Sequence, residues 1–471
     1  MTGRGEADHA VQRCASGVSL SKGSKNGMGG TTPPQILTIQ STKLLLLTAL
    51  LMAVLVISAC GGSAPSSVPS PSMEGGQGEG EAPTAEAPEQ PWPMPDAQTP
   101  LPTRPLATPT PVPTPDFDPA AYFARSDPTG RNPWRTDFSK HSVDYAEILL
   151  GQVRDGIPAI DNPKFGPVSP APDWLADREP VIALEIDGDA RAYPLQIMTW
   201  HEIVNDLVGG EPVTVTFCPL CNTALVFERR MDNVVNSFGV SGLLRYSDLI
   251  MYDRATDSWW QQILGEAIVG DLTGARLTQV PASIVSWADF RQNYPDGQVL
   301  TRDTGFTRQY GRNPYTGYDD IDSSPFLYVG PEDGRLRPVE RVATVELGGE
   351  SVAYPFLRLE ETPAVNDEIG GTPIVVFFSP GTASALDAGS IAASRDVGAT
   401  GVYDRRLGDR TLTFRPDSGV FTDEETGSTW NVLGRAVDGP LSGATLGPVV
   451  HANHFWFAWA AFKPATRVWG Q

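Results

Sequence analysis

The chain has 471 residues, with 35 basic and 56 acidic side chains and a formal net charge of −21. That balance excludes a nucleic-acid partner, because binding phosphate backbones needs clustered Lys and Arg and no basic run follows Lys43. Length alone admits about three average domains, but residues 1–116 hold too little apolar material, outside one run, to build a core. The remainder is rich enough in Trp, Tyr, Phe, Val and Ile to fold without staples.

In chain order, the first element is the uncharged run LLLLTALLMAVLVISA, which follows Lys43 and gives way to small residues and Cys60. This is the pattern of a secretory signal and its cleavage site, and the run is short for a comfortable bilayer span. Residues 1–59 are therefore expected to be a signal peptide with a long leader, Met28 being an alternative start. The tetrad Ile57-Ser58-Ala59-Cys60 resembles the bacterial lipobox. That resemblance implies an acylated Cys60 at the start of the mature chain, an extracytoplasmic location and a membrane partner held through the lipid. Residues 60–116 are Pro, Ser, Ala, Thr, Gly and Glu, with a stiff TPTPVPTPD stretch from Thr108, and read as a tether.

Residues 117–180 form an amino-terminal extension, 181–340 a first repeat and 341–471 a second. VIALEIDGDARAYPL from Val181 alternates about Asp187-Gly188 and predicts a hairpin. QIMTWHEIVNDLVGG predicts a helix closed by glycine. PVTVTFC, TALVFER, VNSFGV and DLIMYDR predict short strands, and SWADFRQNY a second helix. The fold class is α+β with mainly antiparallel sheet. The pattern recurs from Val342: Tyr193-Pro194, Asn205-Asp206 and Gly209-Gly210 return as Tyr354-Pro355, Asn366-Asp367 and Gly370-Gly371. Asp253 through Trp260 returns as Asp423 through Trp430. Two internal repeats packed about a pseudo-twofold axis are expected.

The YPL, WHEIVND, CPLC, FGVSGLL, SDLIMYDR and DGIPAIDNPKF segments together resemble the domain-of-unknown-function family 3179 of bacteria and archaea, over roughly Ser142 to Val468. The resemblance implies extracytoplasmic placement and brings no activity with it.

The repeat sorts residues by what they serve. Tyr193, Pro194, Asn205, Asp206, Gly209, Gly210, Arg229 and Trp260 have twins and read as structural. Cys218, Cys221 and His201 do not, their counterparts being Ser379, Thr382 and Thr362. With Cys14 removed and Cys60 acylated, Cys218 and Cys221 are the only thiols of the mature chain, and outside the cytoplasm thiols tend to be oxidised or metal-bound.

One reading is a copper or zinc site, with two sulfurs on one turn, His201 as third ligand and His451 or His454 as fourth. A second is thiol-disulfide exchange, with Cys218 attacking and Cys221 resolving, although the strand pattern after the motif is not that of a thioredoxin-like site. A third is a non-catalytic interaction module with a structural disulfide. Haem is not expected, since CPLC is not followed by His. Nucleotide is not expected either, since no glycine-rich phosphate loop is present, nor is there a hydrolase constellation. Asp319, Asp320 and Asp322 lack the EF-hand spacing for calcium. His141 is expected at the surface, and Trp259, Trp260, Trp456 and Trp459 in the core.

Overall fold

Asp187 and Gly188, with φ of 50° and 83°, close the predicted hairpin between strands Pro180–Ile186 and Asp189–Pro194. Left-handed backbone at both turn positions matches the twist of the paired strands. The computed structural model describes residues 117–231 and 234–471. The signal segment, Cys60 and the Pro-rich tether lie outside the described residues.

The helix expected to run from Gln196 to Gly209 is shorter. It covers Leu195–His201 and is stopped by Glu202, whose φ is 58°. The chain then enters the strand Ile203–Val208, which pairs with Glu211–Cys218 across Gly209-Gly210. Ile203, Val204 and Val208 are fully buried there, and β-branched side chains pack better on a pleated surface than on a helix. Gly209 is required at this turn, since a Cβ would sit 2.3 Å from the Ile186 carbonyl oxygen. Asn205 and Asp206 are thus strand residues rather than helix-end residues.

The described chain is mainly antiparallel sheet with few, short helices. One sheet orders Ser283–Ser286, Pro180–Ile186, Asp189–Pro194, Gln298–Leu300 and Phe165–Pro167, with Gln298–Leu300 parallel to its neighbour Asp189–Pro194. A second orders Gln279–Val280, Thr223–Glu228, Glu211–Cys218 and Ile203–Val208. A third contains the hairpin Phe238–Arg245/Asp248–Asp253, followed by Trp259–Gln261 and Glu266–Val269.

Similar orders occur from Arg341 onward, each with one strand fewer. His451–Phe455, Arg341–Leu347, Glu350–Pro355 and Arg467–Val468 form one sheet, in which Arg467–Val468 is parallel to Glu350–Pro355 as Gln298–Leu300 is to Asp189–Pro194. Ala364–Ile369, Thr372–Ser379 and Ala399–Asp404 form another. Phe414–Asp417, Val420–Asp423, Thr429–Trp430 and Ala436–Asp438 form the third. Helices Phe356–Glu361 and Trp456–Phe462 follow the same strands as Leu195–His201 and Trp287–Asn293.

Side-chain networks match as well. Tyr193 Oη donates to Asp206 Oδ2 at 2.7 Å and Tyr354 Oη to Asp367 Oδ2 at 2.8 Å. Asn205 and Asn366 each clamp the backbone of a phenylalanine, Phe238 and Phe414. Trp260 and Trp430 each donate from Nε1 to a buried aspartate, Asp253 and Asp423. Arg229 bridges the backbone carbonyls of Val213, Asn236 and Asp206, whereas Arg405 donates to one, that of Leu412. Such pairing satisfies polar groups in a dry interior.

Register also places the histidines of the HANH segment. His454 pairs with Val342 as Val285 pairs with Val181. The segment is therefore an edge strand, placed in its sheet as Ser283–Ser286 is in the first.

Candidate metal centre

Strand Glu211–Cys218 turns back into Thr223–Glu228 with Cys218 opposite Thr223, so both sulfurs lie at one hairpin end. Asn222, with φ of 52°, makes the return possible, a conformation asparagine tolerates better than most residues. The loop is tied down by its neighbours: Leu220 O accepts from Tyr318 Oη at 2.8 Å and Cys221 O from Phe455 N at 2.9 Å.

The third group arrives from another hairpin. Tyr246 and Ser247, with φ of 52° and 69°, form the turn between Phe238–Arg245 and Asp248–Asp253. A tyrosine and a serine in left-handed backbone, where Asn-Gly is the favoured pair, mark a strained turn, and strain of this kind gathers at functional sites. The matching turn in the second series is Ser418-Gly419, with φ of 50° and 89°, at the tip of a much shorter hairpin. The longer hairpin carries Asp248 to the thiols, and the shorter one has no residue at that level.

The ligand atoms of Cys218, Cys221 and Asp248 all lie within 4.8 Å of one another, a group able to hold a metal ion. Both cysteines are free thiols. Cys221 Sγ donates to Asp248 Oδ1 at 3.0 Å, and Cys218 Sγ lies 3.7 Å from the Ser247 carbonyl oxygen. The far carboxylate oxygen, Oδ2, accepts from Gln261 Nε2 at 2.6 Å and Ile263 N at 3.0 Å. One face of Asp248 is thereby oriented by the protein and the other turned to the thiols, the division of labour seen in metal-binding carboxylates. Cys221 and Asp248 are fully buried and Cys218 nearly so. Burial pushes both thiols up and Asp248 up to about 6. Glu202, also buried and near Asp248, is pushed up to about 8 by burial and then by that carboxylate.

The histidines fall elsewhere. His201 Nδ1 lies 2.8 Å from the Pro158 carbonyl oxygen and Nε2 2.7 Å from Tyr310 Oη. Both ring nitrogens are engaged, and burial holds the ring's pKa down at about 4. Asp248, not His201, is the third member of the group. His451 faces the Val449 carbonyl oxygen and Ser283. His454 comes closer to the motif, with Nδ1 2.7 Å from Thr223 Oγ1 and its ring stacked on Trp459, but it too is outside the group. Of the two, His454 and not His451 contacts a residue of the hairpin that carries the thiols. Asp319 is held by Arg341 and Arg395. Trp259, Trp260 and Trp456 are fully buried and Trp459 is 6% exposed. Among the described residues no helix is long and apolar enough to cross a membrane.

The buried acids predict how stability follows pH. For Glu202 the folded value of about 8 exceeds the ordinary 4.5, so its contribution is complete at low pH and is lost as pH rises to 8. Asp248 behaves likewise up to about 6. His201 and His454, held at about 4 and about 3, act in the opposite sense below pH 6.5. The metal-free protein should therefore lose melting temperature between pH 6.5 and 8, where Glu202 alone dominates among these groups. Glu202→Gln should flatten that fall in a thermal melt series, and an unchanged slope would refute the assignment.

A family model described as "Protein of unknown function (DUF3179)" matches residues 154–466, most of the chain. No curated protein and no solved structure matches.

Proposed function

This chain belongs to the DUF3179 family, whose description names no activity, and we propose from its site that it is a lipid-anchored extracytoplasmic protein with a zinc centre at Cys218, Cys221 and Asp248. The observation that carries the reading is the convergence of two thiols and one carboxylate within 4.8 Å, delivered by two separate hairpins. A carboxylate as third donor favours zinc over copper(I): zinc accepts sulfur and oxygen together, whereas copper(I) is selected by soft thiolate and thioether sets. The thiol-disulfide alternative draws less support. Burial raises both thiols, whereas a redox cysteine needs a lowered pKa and access to solvent. A structural-disulfide role draws no support from two free thiols.

The matched sheet orders and networks support a second part of the proposal. The globular domain is two copies of one unit about a pseudo-twofold axis, in which the first copy alone acquired a metal site. Three structural positions of that copy carry the donors, while Ser379, Thr382 and a shortened hairpin replace them in the other.

Elemental analysis of the mature protein tests the metal reading. About one zinc per chain is expected, with essentially none in the Cys218→Ser/Cys221→Ser double variant. A wild-type protein that takes up no zinc from a zinc-supplemented, reduced preparation would overturn it.

A further inference from the structure

We infer that residues 321–338 form a flap over this centre, which must lift for a metal ion to enter or leave. The inference rests on the metal reading above and adds a route of access to it.

The donor side chains are sealed. Cys218 is 2% exposed and Cys221 and Asp248 are 0%, so no ion reaches them from solvent unless a covering piece moves. Two of the surrounding pieces are the hairpins that carry the donors, and both are held by strand pairing. Phe217 pairs with Ala224 and Cys218 with Thr223 in one, Leu244 with Leu249 and Arg245 with Asp248 in the other. Local opening is drawn from parts with few buried contacts and few backbone bonds. Residues 321–338 answer that description. None of them lies in a helix or strand, and each is at least partly exposed, Val329 to 58%. Among the described residues their backbone amides make one bond to a backbone carbonyl, the local one from Ser323 N to Asp320 O. The two ends are rooted, since Asp319 and Val339 are each 1% exposed and Asp319 is ion-paired with Arg341.

The flap is fastened to both donor hairpins. Tyr318 Oη, at its stem, donates to the Leu220 carbonyl oxygen at 2.8 Å, between the two cysteines, and accepts from Phe326 N at 3.3 Å. Phe326 O in turn accepts from Ser247 Oγ, on the turn whose carbonyl oxygen lies 3.7 Å from Cys218 Sγ. A chain of hydrogen bonds thus runs from Leu220 through Tyr318 and Phe326 to Ser247, joining the two hairpins on the flap side. The remaining grip is aromatic: Tyr328 lies edge-on to Phe457 at 5.0 Å and tilted against Tyr246 at 6.3 Å. Between these contacts Leu327 is held at a φ of 54°, which a leucine adopts at a cost, and opening releases it. Closure depends on a few bonds, so losing one shifts the balance toward the open form.

The test uses the full mature protein and two variants. Tyr318→Phe removes the hydroxyl that bonds both Leu220 and Phe326, and Tyr328→Ala removes the aromatic grip without touching a donor. Two rates are measured: labelling of Cys218 and Cys221 by a soluble thiol reagent in the reduced, metal-free protein, read by peptide mass, and loss of zinc to an excess of chromophoric chelator. Each variant should raise both rates about 3- to 10-fold, the scale of one net hydrogen bond or aromatic pair. The zinc dissociation constant should stay unchanged, since easier opening speeds entry and exit alike. Tyr354→Phe, which breaks the bond to Asp367 in the second series of strands, should leave both rates at the wild-type level and so controls for a general loss of stability. Labelling in both flap variants no faster than in wild type or in Tyr354→Phe would overturn the flap, whether or not the protein binds zinc. Faster labelling in a protein that takes up no zinc would support the flap over the thiols and sink the metal reading alone.

Discussion

Asp248→Asn is expected to lower zinc affinity more than 100-fold while leaving the fold intact. The side chain is fully buried and makes the contacts of a positioned ligand, with Gln261 Nε2 and Ile263 N on one oxygen and Cys221 on the other. Asparagine has the same shape and keeps an oxygen acceptor, but it lacks the negative charge that a dication requires in a dry site. The loss should exceed the roughly 10- to 100-fold typical of outer-shell partners of metal ligands, because a ligand itself is removed. Stability should respond in the opposite sense. With the carboxyl pKa pushed up to about 6, the metal-free wild type at pH 8 buries an ionised acid at a cost, and the amide removes that cost. The metal-free variant should therefore melt at or above the wild-type temperature at pH 8. Zinc titration against a chromophoric chelator, with thermal melts of the same samples, reads both effects. Undiminished zinc binding would show that Asp248 is not a ligand.

Cys60→Ala should move the protein from the membrane fraction to the soluble fraction or leave the precursor unprocessed. The apolar run from Leu44 ends in Ile57-Ser58-Ala59-Cys60, and acylation needs the thiol of that cysteine. One acyl chain binds membranes only marginally and stable anchoring takes more than one, so losing every chain should make the change close to complete. Fractionation and intact mass of the mature protein decide the matter. A variant that fractionates and migrates as wild type does would contradict the anchor. Retention of zinc by the released protein is also expected, since the metal site belongs to the globular part.

Much of the fold was legible because its signals are local. Asp187-Gly188 between alternating apolar residues reads as a hairpin, and the strands of PVTVTFC, TALVFER and DLIMYDR lie where their β-branched and aromatic residues place them. The helix from Gln196 was read too long because Ile203 and Val204 satisfy a helical spacing and a strand equally. What decides between them is the partner strand Glu211–Cys218, a tertiary contact that pattern does not carry.

The site was half legible for a related reason. Cys218 and Cys221 stood out by breaking the sequence pattern that recurs from Val342, but the same comparison drew attention to His201, whose ring nitrogens engage Pro158 and Tyr310. Asp248 was read only as the head of a strand. Its approach depends on a turn at Tyr246-Ser247 that carries no glycine or asparagine signal, and on one hairpin being longer than its counterpart. That difference in length was present in the two sequences, since Phe238–Asp253 spans more chain than Phe414–Asp423, and it was the available clue.

X-ray absorption at the zinc edge of the mature wild-type protein tests the metal centre most directly. The expected first shell is two sulfur atoms at about 2.3 Å and oxygen donors at about 2.0–2.2 Å, without the outer scattering that imidazole rings produce. A shell dominated by histidine nitrogen, or a protein with no zinc to measure after reduced, zinc-supplemented preparation, would contradict a centre built from Cys218, Cys221 and Asp248.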